Sequence, residues 1–172
     1  MPFTISKAGI HDAVELNELV NSAYRGDSSR KGWTTEADLL DGTRVTTDLM
    51  QEILAKPDTT ILKYAEDGKT LACVELRNHS GRLYLGMLTV SPTLQGKGIG
   101  KIMLQAAENE AKNQKCLAIF MTVISVRNEL IDWYKRHGYS ETGERKPFNM
   151  PDTRWGIPKK PLEFIVLQKP IS

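Results

Sequence analysis

The pattern of apolar and polar residues divides the chain into short strands and amphipathic helices. Residues 3–7 predict a strand, and a helix is expected to start at Asp12, where Glu15 would complete a capping box. A second helix is predicted from about Thr46 to Lys56, because its apolar residues recur three and four positions apart and Pro57 follows.

Three strands are predicted in the middle of the chain, at about 59–65, 70–76 and 82–90. The dipeptide Asp67-Gly68 and the cluster 78–81 (Asn-His-Ser-Gly) separate them, and both are typical of tight turns. Short turns between consecutive strands predict an antiparallel meander.

The second half of the chain alternates helices and strands. A helix, a buried strand, a further helix that ends at Gly138 and two final strands are expected. Their bounds are about 98–114, 117–123, 127–136, 139–142 and 162–167. The order β-α-α-β-β-β-α-β-α-β-β predicts an α/β fold.

The turn after the strand that ends at Val90 carries the clearest chemical signal. Residues 96–101 read Gly-Lys-Gly-Ile-Gly-Lys at the start of a predicted helix. Glycine allows a ligand to approach the backbone, and the N–H groups of a helix N-terminus favour anions. Lys97 and Lys101 add positive charge, so the turn predicts a phosphate-binding cradle.

Two common phosphate-binding motifs do not fit this turn. A P-loop would need glycine at Gln95 and a hydroxyl residue at Ile102, and a Rossmann fingerprint would need a third glycine that is absent. The pattern Gln-x-x-Gly-x-Gly does fit, at Gln95, Gly98 and Gly100. In this position it resembles the acetyl-CoA pyrophosphate loop of the GNAT superfamily of N-acetyltransferases.

The order of elements also resembles the GNAT fold, in which helices flank a mixed, mostly antiparallel sheet. The resemblance implies a single N-acetyltransferase domain over residues 1–172, with acetyl-CoA as co-substrate and direct attack by a primary amine. Backbone groups of the glycine turn would hold the pyrophosphate, and a splayed strand end would hold the pantetheine and the thioester carbonyl. The residues assigned to the cofactor in this way are Leu88, Thr89, Val90, Gln95, Gly96, Lys97, Gly98, Ile99, Gly100 and Lys101.

A second stretch, residues 121–139, resembles the family at Trp133-Tyr134 and Gly138-Tyr139. The family carries an asparagine seven residues before the tyrosine. That position is Arg127 here, and Asn128 comes one residue later. Either Arg127 or Asn128 would then hold the pantetheine arm, and the sequence leaves the choice open.

Tyr134 is the candidate general acid that the resemblance indicates. A phenol can protonate the departing CoA thiolate if it lies within hydrogen-bond reach of the sulfur. The alternative is a core aromatic residue, because Leu130, Ile131 and Tyr134 share one helix face.

The resemblance implies a carboxylate base on the strands that face the cofactor. Glu75 is the nearest candidate, because no carboxylate lies between Arg82 and Val90. With a hairpin turn at His79-Ser80, Glu75 is expected opposite Tyr84 and on the same face. The alternative is a glutamate that is simply exposed to solvent.

The resemblance implies that two segments, 24–42 and 144–160, wall the acceptor pocket, and both are rich in arginine and aromatic residues. Their candidate contacts are Arg25, Arg30, Trp33, Glu36, Arg145, Phe148, Arg154 and Trp155. They suggest a small amine that also carries a carboxylate or phosphate. Solvated arginines are an equal alternative. A protein lysine or N-terminus is the second acceptor class, and an open groove instead of a capped pocket would favour it.

Composition bears on nucleic-acid binding, membrane insertion, the state of the cysteines and metal binding. The net charge of +2 gives no general case for nucleic-acid binding, and no apolar segment has the length of a membrane span. Cys73 and Cys116 lie in apolar runs and are interpreted as reduced core residues of a cytoplasmic protein. The three histidines lack metal-ligand spacing, so no metal is expected. A homodimer and a non-catalytic acetyl-CoA-binding module both stay open.

Overall fold

The computed structural model describes residues 3–24, 40–41, 46–94, 97–147, 157–158 and 163–171. Its strands are β1 (Thr4–Lys7), β2 (Leu40–Asp41), β3 (Thr59–Glu66), β4 (Lys69–His79), β5 (Arg82–Val90), β6 (Ala118–Ile124), β7 (Ser140–Pro147), β8 (Ile157–Pro158) and β9 (Glu163–Pro170). Its α-helices are α1 (Ala13–Tyr24), α2 (Thr47–Ala55), α3 (Ile99–Asn113) and α4 (Asn128–Arg136). Short 3₁₀ turns cover Ile10–Asp12 and Pro92–Leu94.

Seven strands form one mixed sheet in the order β1-β3-β4-β5-β6-β9-β7. All neighbouring pairs are antiparallel except β5 and β6, which are parallel. The predicted α/β fold with a mostly antiparallel sheet is therefore confirmed. The short strands β2 and β8 were not predicted, and they pair with each other instead of joining the main sheet.

Two hydrophobic clusters cover the two faces of the sheet. The larger one packs α3 and α4 against alternate residues of the strands, among them Val74 and Leu76 of β4. The smaller one packs α1 and α2 against the other face, which includes Cys73 and Met87. Cys73 and Cys116 are both buried, and they belong to different clusters. Within the described ranges, no helix combines the length and apolar character that a membrane span requires.

The first helix starts differently from the prediction. A 3₁₀ turn precedes α1, and the Asp12 carboxylate accepts the backbone N–H of Gly9 at 2.9 Å. Asp12 also accepts a hydrogen bond from Lys63 at 3.0 Å. Because Asp12 closes the turn that begins at Gly9, the predicted capping box with Glu15 is wrong.

The register of the β4–β5 hairpin also differs from the prediction. His79 pairs with Arg82, so the turn contains only Ser80 and Gly81, and both have positive φ angles. This is the two-residue turn that matches the twist of antiparallel strands. It moves the register by two residues and places Glu75 opposite Gly86 instead of Tyr84.

Candidate functional site

Strands β5 and β6 pair over three residues and then separate. The parallel ladder joins Arg82–Tyr84 to Ala118–Phe120 and ends there. Just beyond it, β5 has one residue more than β4, with a register shift around Met87 and a φ of 49° at that residue. Such a bulge bends a strand. A gap therefore opens at the carboxyl ends of two parallel strands, where α/β sheets characteristically bind ligands.

A cavity of about 560 Å³ lies at the carboxyl end of β5, between the N-terminus of α3 and helix α4. Its size falls within the roughly 300–1,000 Å³ typical of ligand sites. Six residues predicted to bind the cofactor line it: Leu88, Val90, Gly98, Ile99, Gly100 and Lys101. The structure thus brings together the strand end and the glycine turn that the sequence assigned to one ligand.

The other predicted cofactor residues are placed differently. Thr89 is fully buried and does not line the cavity, and its hydroxyl donates to the Met87 carbonyl at 2.8 Å. Lys97 is exposed beside the helix N-terminus but is not in the cavity wall. Gln95 and Gly96 lie outside the described residues, so their placement stays a prediction.

Gly98 and Gly100 are needed for different reasons. Gly98 caps α3 in the left-handed region, with φ 83° and ψ 1°, and no described atom lies within 4 Å of a β-carbon built there. Gly100 lies inside the helix, and a β-carbon there would be 3.1 Å from the ring of Trp133. Gly98 therefore leaves open space beside the helix N-terminus, which favours an anion, and Gly100 lets α4 approach.

Helix α4 supplies the aromatic wall of the cavity with Trp133, Tyr134 and His137. Tyr134 is only 5% exposed, and its ring meets Trp133 edge-on at 5.1 Å and Tyr139 at 5.8 Å between centroids. His137 lies against Trp133, with ring centroids 4.4 Å apart. Tyr134 is thus both a core aromatic residue and part of the cavity wall, which combines the two roles that the sequence left as alternatives.

Arg127 and Asn128 differ in burial. Arg127 stands at the N-cap of α4 and is 9% exposed, whereas Asn128 is exposed. Neither residue lines the cavity. The position that the motif spacing indicated is therefore the inward-facing one, and it holds arginine.

Glu75 lies on the opposite face of the sheet from α3 and α4. It is 6% exposed, so the expectation of a solvent-exposed glutamate is wrong. The Nε atom of Arg77 lies 3.2 Å from its Oε2 atom. Arg77 is paired with Tyr84 across the hairpin, and its guanidinium lies 4.9 Å above the tyrosine ring. Sequence reasoning missed Arg77, although its position two residues after Glu75 on a strand indicates a shared face.

Most of the predicted acceptor contacts lie outside the described residues: Arg25, Arg30, Trp33, Glu36, Phe148, Arg154 and Trp155. Arg145 is described, on β7, where it forms an ion pair with Glu163. The segment between α1 and α2 pairs with the segment between β7 and β9 through Leu40–Asp41 and Ile157–Pro158. Among the described residues, no group of three or more His, Cys, Asp and Glu side chains is arranged to hold a metal ion.

Comparison with known families gives one match over most of the chain. Residues 32–150 match the model of the acetyltransferase (GNAT) domain. Over 68 residues the chain is 34% identical to the spermine/spermidine N(1)-acetyltransferase of Bacillus subtilis. That match covers 39% of this chain and 45% of the relative, so the chain spans under half of the relative's length.

Solved structures share the fold over almost the full chain. The ribosomal-protein-S18-alanine N-acetyltransferase from Escherichia coli superimposes with a TM-score of 0.75 at 15% identity, covering 99% of this chain and 95% of that one. The PaiA N-acetyltransferase from Thermoplasma acidophilum, solved in complex with coenzyme A, gives a TM-score of 0.69 at 18% identity and covers 99% of each chain. At these identities the likeness concerns the fold.

Proposed function

The chain belongs to the GNAT family of acetyltransferases, and from this premise we propose that it transfers acetyl from acetyl-CoA to the primary amine of a small molecule. One observation carries the proposal: one cavity joins the N-terminus of α3, the carboxyl end of β5 at Leu88 and Val90, and the side chain of Tyr134. A phosphate site, a channel and a proton donor are the parts that thioester aminolysis needs.

In this proposal the pyrophosphate of acetyl-CoA binds at the backbone N–H groups that follow Gly98. The pantetheine arm runs along Leu88 and Val90 toward the gap. The crystallised complex of the Thermoplasma relative with coenzyme A supports a cofactor of this type. Arg127, the buried residue at the start of α4, is the candidate to support the arm from the other side.

The chemical step is direct attack of the amine nitrogen on the thioester carbonyl carbon. A new C–N bond forms, the C–S bond breaks, and the thiolate takes a proton from the hydroxyl of Tyr134. The amine gives up a proton to the carboxylate of Glu75, directly or through water. Glu75 suits that role because it is buried on the face from which the acceptor would approach.

A small-molecule acceptor is favoured by the pairing of β2 with β8. This pairing joins the two segments expected to wall the acceptor pocket. A pocket closed by both segments leaves less room for a polypeptide than an open groove does. If the acceptor is not a small molecule, a substrate screen should instead detect acetylation of a protein lysine or an N-terminal amine.

Calorimetric titration with acetyl-CoA, CoA and ATP tests the cofactor site first. Saturable binding of acetyl-CoA and CoA but not ATP is expected, and no binding would overturn the proposal.

Tyr134→Phe then tests the general acid, with an expected loss of roughly 10²–10⁴-fold in kcat and little change in acetyl-CoA affinity. Tyr139→Phe is the matched control, because its ring is also buried beside Tyr134 but does not line the cavity. Full activity of Tyr134→Phe would refute the acid role.

A further inference from the structure

Glu75 and Arg77 form a pair of opposite charges beside the gap. They share a face of β4 with Cys73, which packs under α1 and α2, whereas Val74 and Leu76 pack on the other side under α3 and α4. Glu75 is directly opposite Gly86, the residue before the bulge that leads β5 away from β6. The cavity with Tyr134 is thus on one face of the gap, and the Glu75–Arg77 pair is on the other.

The guanidinium of Arg77 lies over an aromatic ring. It stacks on the ring of Tyr84, which itself lies across Gly86: a β-carbon at Gly86 would be 2.7 Å from that ring. The side chain of Arg77 still keeps 31% of its surface exposed. A partly exposed guanidinium that packs on a ring is suited to bind a carboxylate through two parallel hydrogen bonds.

The contact between Arg77 and Glu75 does not satisfy the Nε donor of Arg77. Nε lies 3.2 Å from Oε2, close enough for an ion pair, but this buried N–H makes no aligned hydrogen bond in the described structure. We attribute this to poor alignment, because the distance alone is suitable. The Nε–H group of Arg77 is therefore a buried donor without a well-aligned acceptor among the described residues.

We propose that Glu75 and Arg77 together select an acceptor that carries a carboxylate close to its amine, as an α-amino acid does. Arg77 binds the carboxylate, and Glu75 binds the ammonium group and accepts its proton. The edge-to-face rings of Tyr84 and Phe120, 5.5 Å apart, lie on the same face as Arg77. The inference rests on the proposed acetyl transfer and adds its substrate class.

This acceptor class differs from that of the Bacillus relative, whose name specifies spermine and spermidine. A polyamine has no carboxylate, and a cationic chain would meet the positive charge of Arg77. Arg82 adds a second guanidinium on the same face, 4.4 Å above the ring of Phe120. Both aromatic rings thus already carry a cation, which disfavours a further cation on them.

The test compares acceptors that differ only in the carboxylate. Acetyl-CoA turnover is followed by thiol release with L-methionine and L-phenylalanine, with the α-carboxamide of each, and with spermidine. We expect kcat/KM at least about tenfold higher for each acid than for its amide or for spermidine. Amides or spermidine used as well as the acids would overturn the proposal.

Two arginine variants then locate the effect. Arg77→Met is expected to lower kcat/KM for the acid at least about tenfold more than kcat/KM for the amide, so that the preference for the acid is lost. Arg82→Met is the matched control, and it should keep the preference. Equal losses on acid and amide in Arg77→Met would overturn the assignment. If Arg77→Met does not fold, the ratio of kcat/KM for the acid to kcat/KM for the amide in the unmodified protein still tests the proposal.

Failure of the proposed function gives a different result. In that case acetyl-CoA binds but no amine, carboxylated or not, releases thiol, and both proposals fall together. Thiol release with the amides or spermidine alone keeps acetyl transfer and removes only the carboxylate requirement.

Discussion

The indole of Trp133 lies against the backbone of Gly100, where a β-carbon would be 3.1 Å from the Cζ2 atom of the ring. This contact joins α4 to the first turn of α3 at the wall of the cavity. Gly100 has no left-handed φ, so the helix contact explains its lack of a side chain. The geometry of the cofactor cavity therefore depends on the close approach of two helices at this residue.

Gly100→Ala tests this contact. Alanine normally stabilises a helix by about 1 kcal/mol relative to glycine, but here the ring of Trp133 must move by a few tenths of an ångström. We expect a neutral or destabilising effect in the native background and a stabilising one in Trp133→Leu. Urea unfolding of the two single variants, the double variant and the parent should give a coupling of about 1 kcal/mol. Additive free energies would show that the contact exerts no strain.

Gly98→Glu separates the cofactor site from helix stability. The φ of 83° makes any side chain unfavourable there, so Gly98→Ala should cost about 1 kcal/mol of stability but little acetyl-CoA affinity. Glutamate places a negative charge beside the expected pyrophosphate and should lower affinity by at least about tenfold. Gly98→Gln, of similar size and no charge, is the control for steric effects. Calorimetric titration of the three variants measures the acetyl-CoA affinity. An unaltered affinity in Gly98→Glu would show that the pyrophosphate does not bind beside Gly98.

Asp12 links stability to pH. Burial raises the pKa of its carboxyl, but the Gly9 N–H and Lys63 outweigh burial, so the pKa lies below the ordinary 3.8. A lowered folded-state pKa contributes stability above the unfolded value, and that contribution is lost as pH falls through the folded value. Asp12→Asn should therefore cost about 1–3 kcal/mol at pH 7 and progressively less below about pH 4. Urea unfolding at pH 7, 5 and 3 measures it, and a difference independent of pH would contradict the assignment.

Tyr139→Phe should leave stability unchanged or raise it by up to about 1 kcal/mol. The hydroxyl of Tyr139 is buried and makes no hydrogen bond to the described residues. Burial, followed by the charge of Glu108, raises the pKa of this phenol, so it stays protonated in the folded protein. An unpaired buried hydroxyl costs free energy that phenylalanine avoids. Thermal unfolding of the variant checks this, and a marked loss of stability would reveal an additional partner such as a buried water.

Much of the fold follows from local patterns. The helix predicted at 98–114 is found at Ile99–Asn113, and the strand predicted at 82–90 has those bounds. Periodicity and glycine positions suffice for such elements, because both act within a few residues. The β4–β5 register could not be predicted from such local patterns, because it depends on Ser80, a non-glycine residue that adopts a φ of 52°. A cluster of four turn residues does not indicate which two make the turn.

The same limit applies to the site. Gly98, Gly100 and Tyr134 could be predicted because contiguous motifs carry them. Arg77 could not, since its role depends on the neighbour it faces across the hairpin, and the expected register gave Glu75 that neighbour instead. Pairing across strands is a tertiary property, so sequence spacing alone does not reveal it.

The separation of β5 from β6 has a consequence for how specificity is divided. In the proposed reaction the two substrates meet through an aperture in the sheet, each from its own side, and only the reacting atoms need to pass. The acyl chain is limited by the residues around Tyr134, and the amine by those around Glu75 and Arg77. Donor and acceptor preference can then be altered separately, by substitutions on one face that leave the other unchanged.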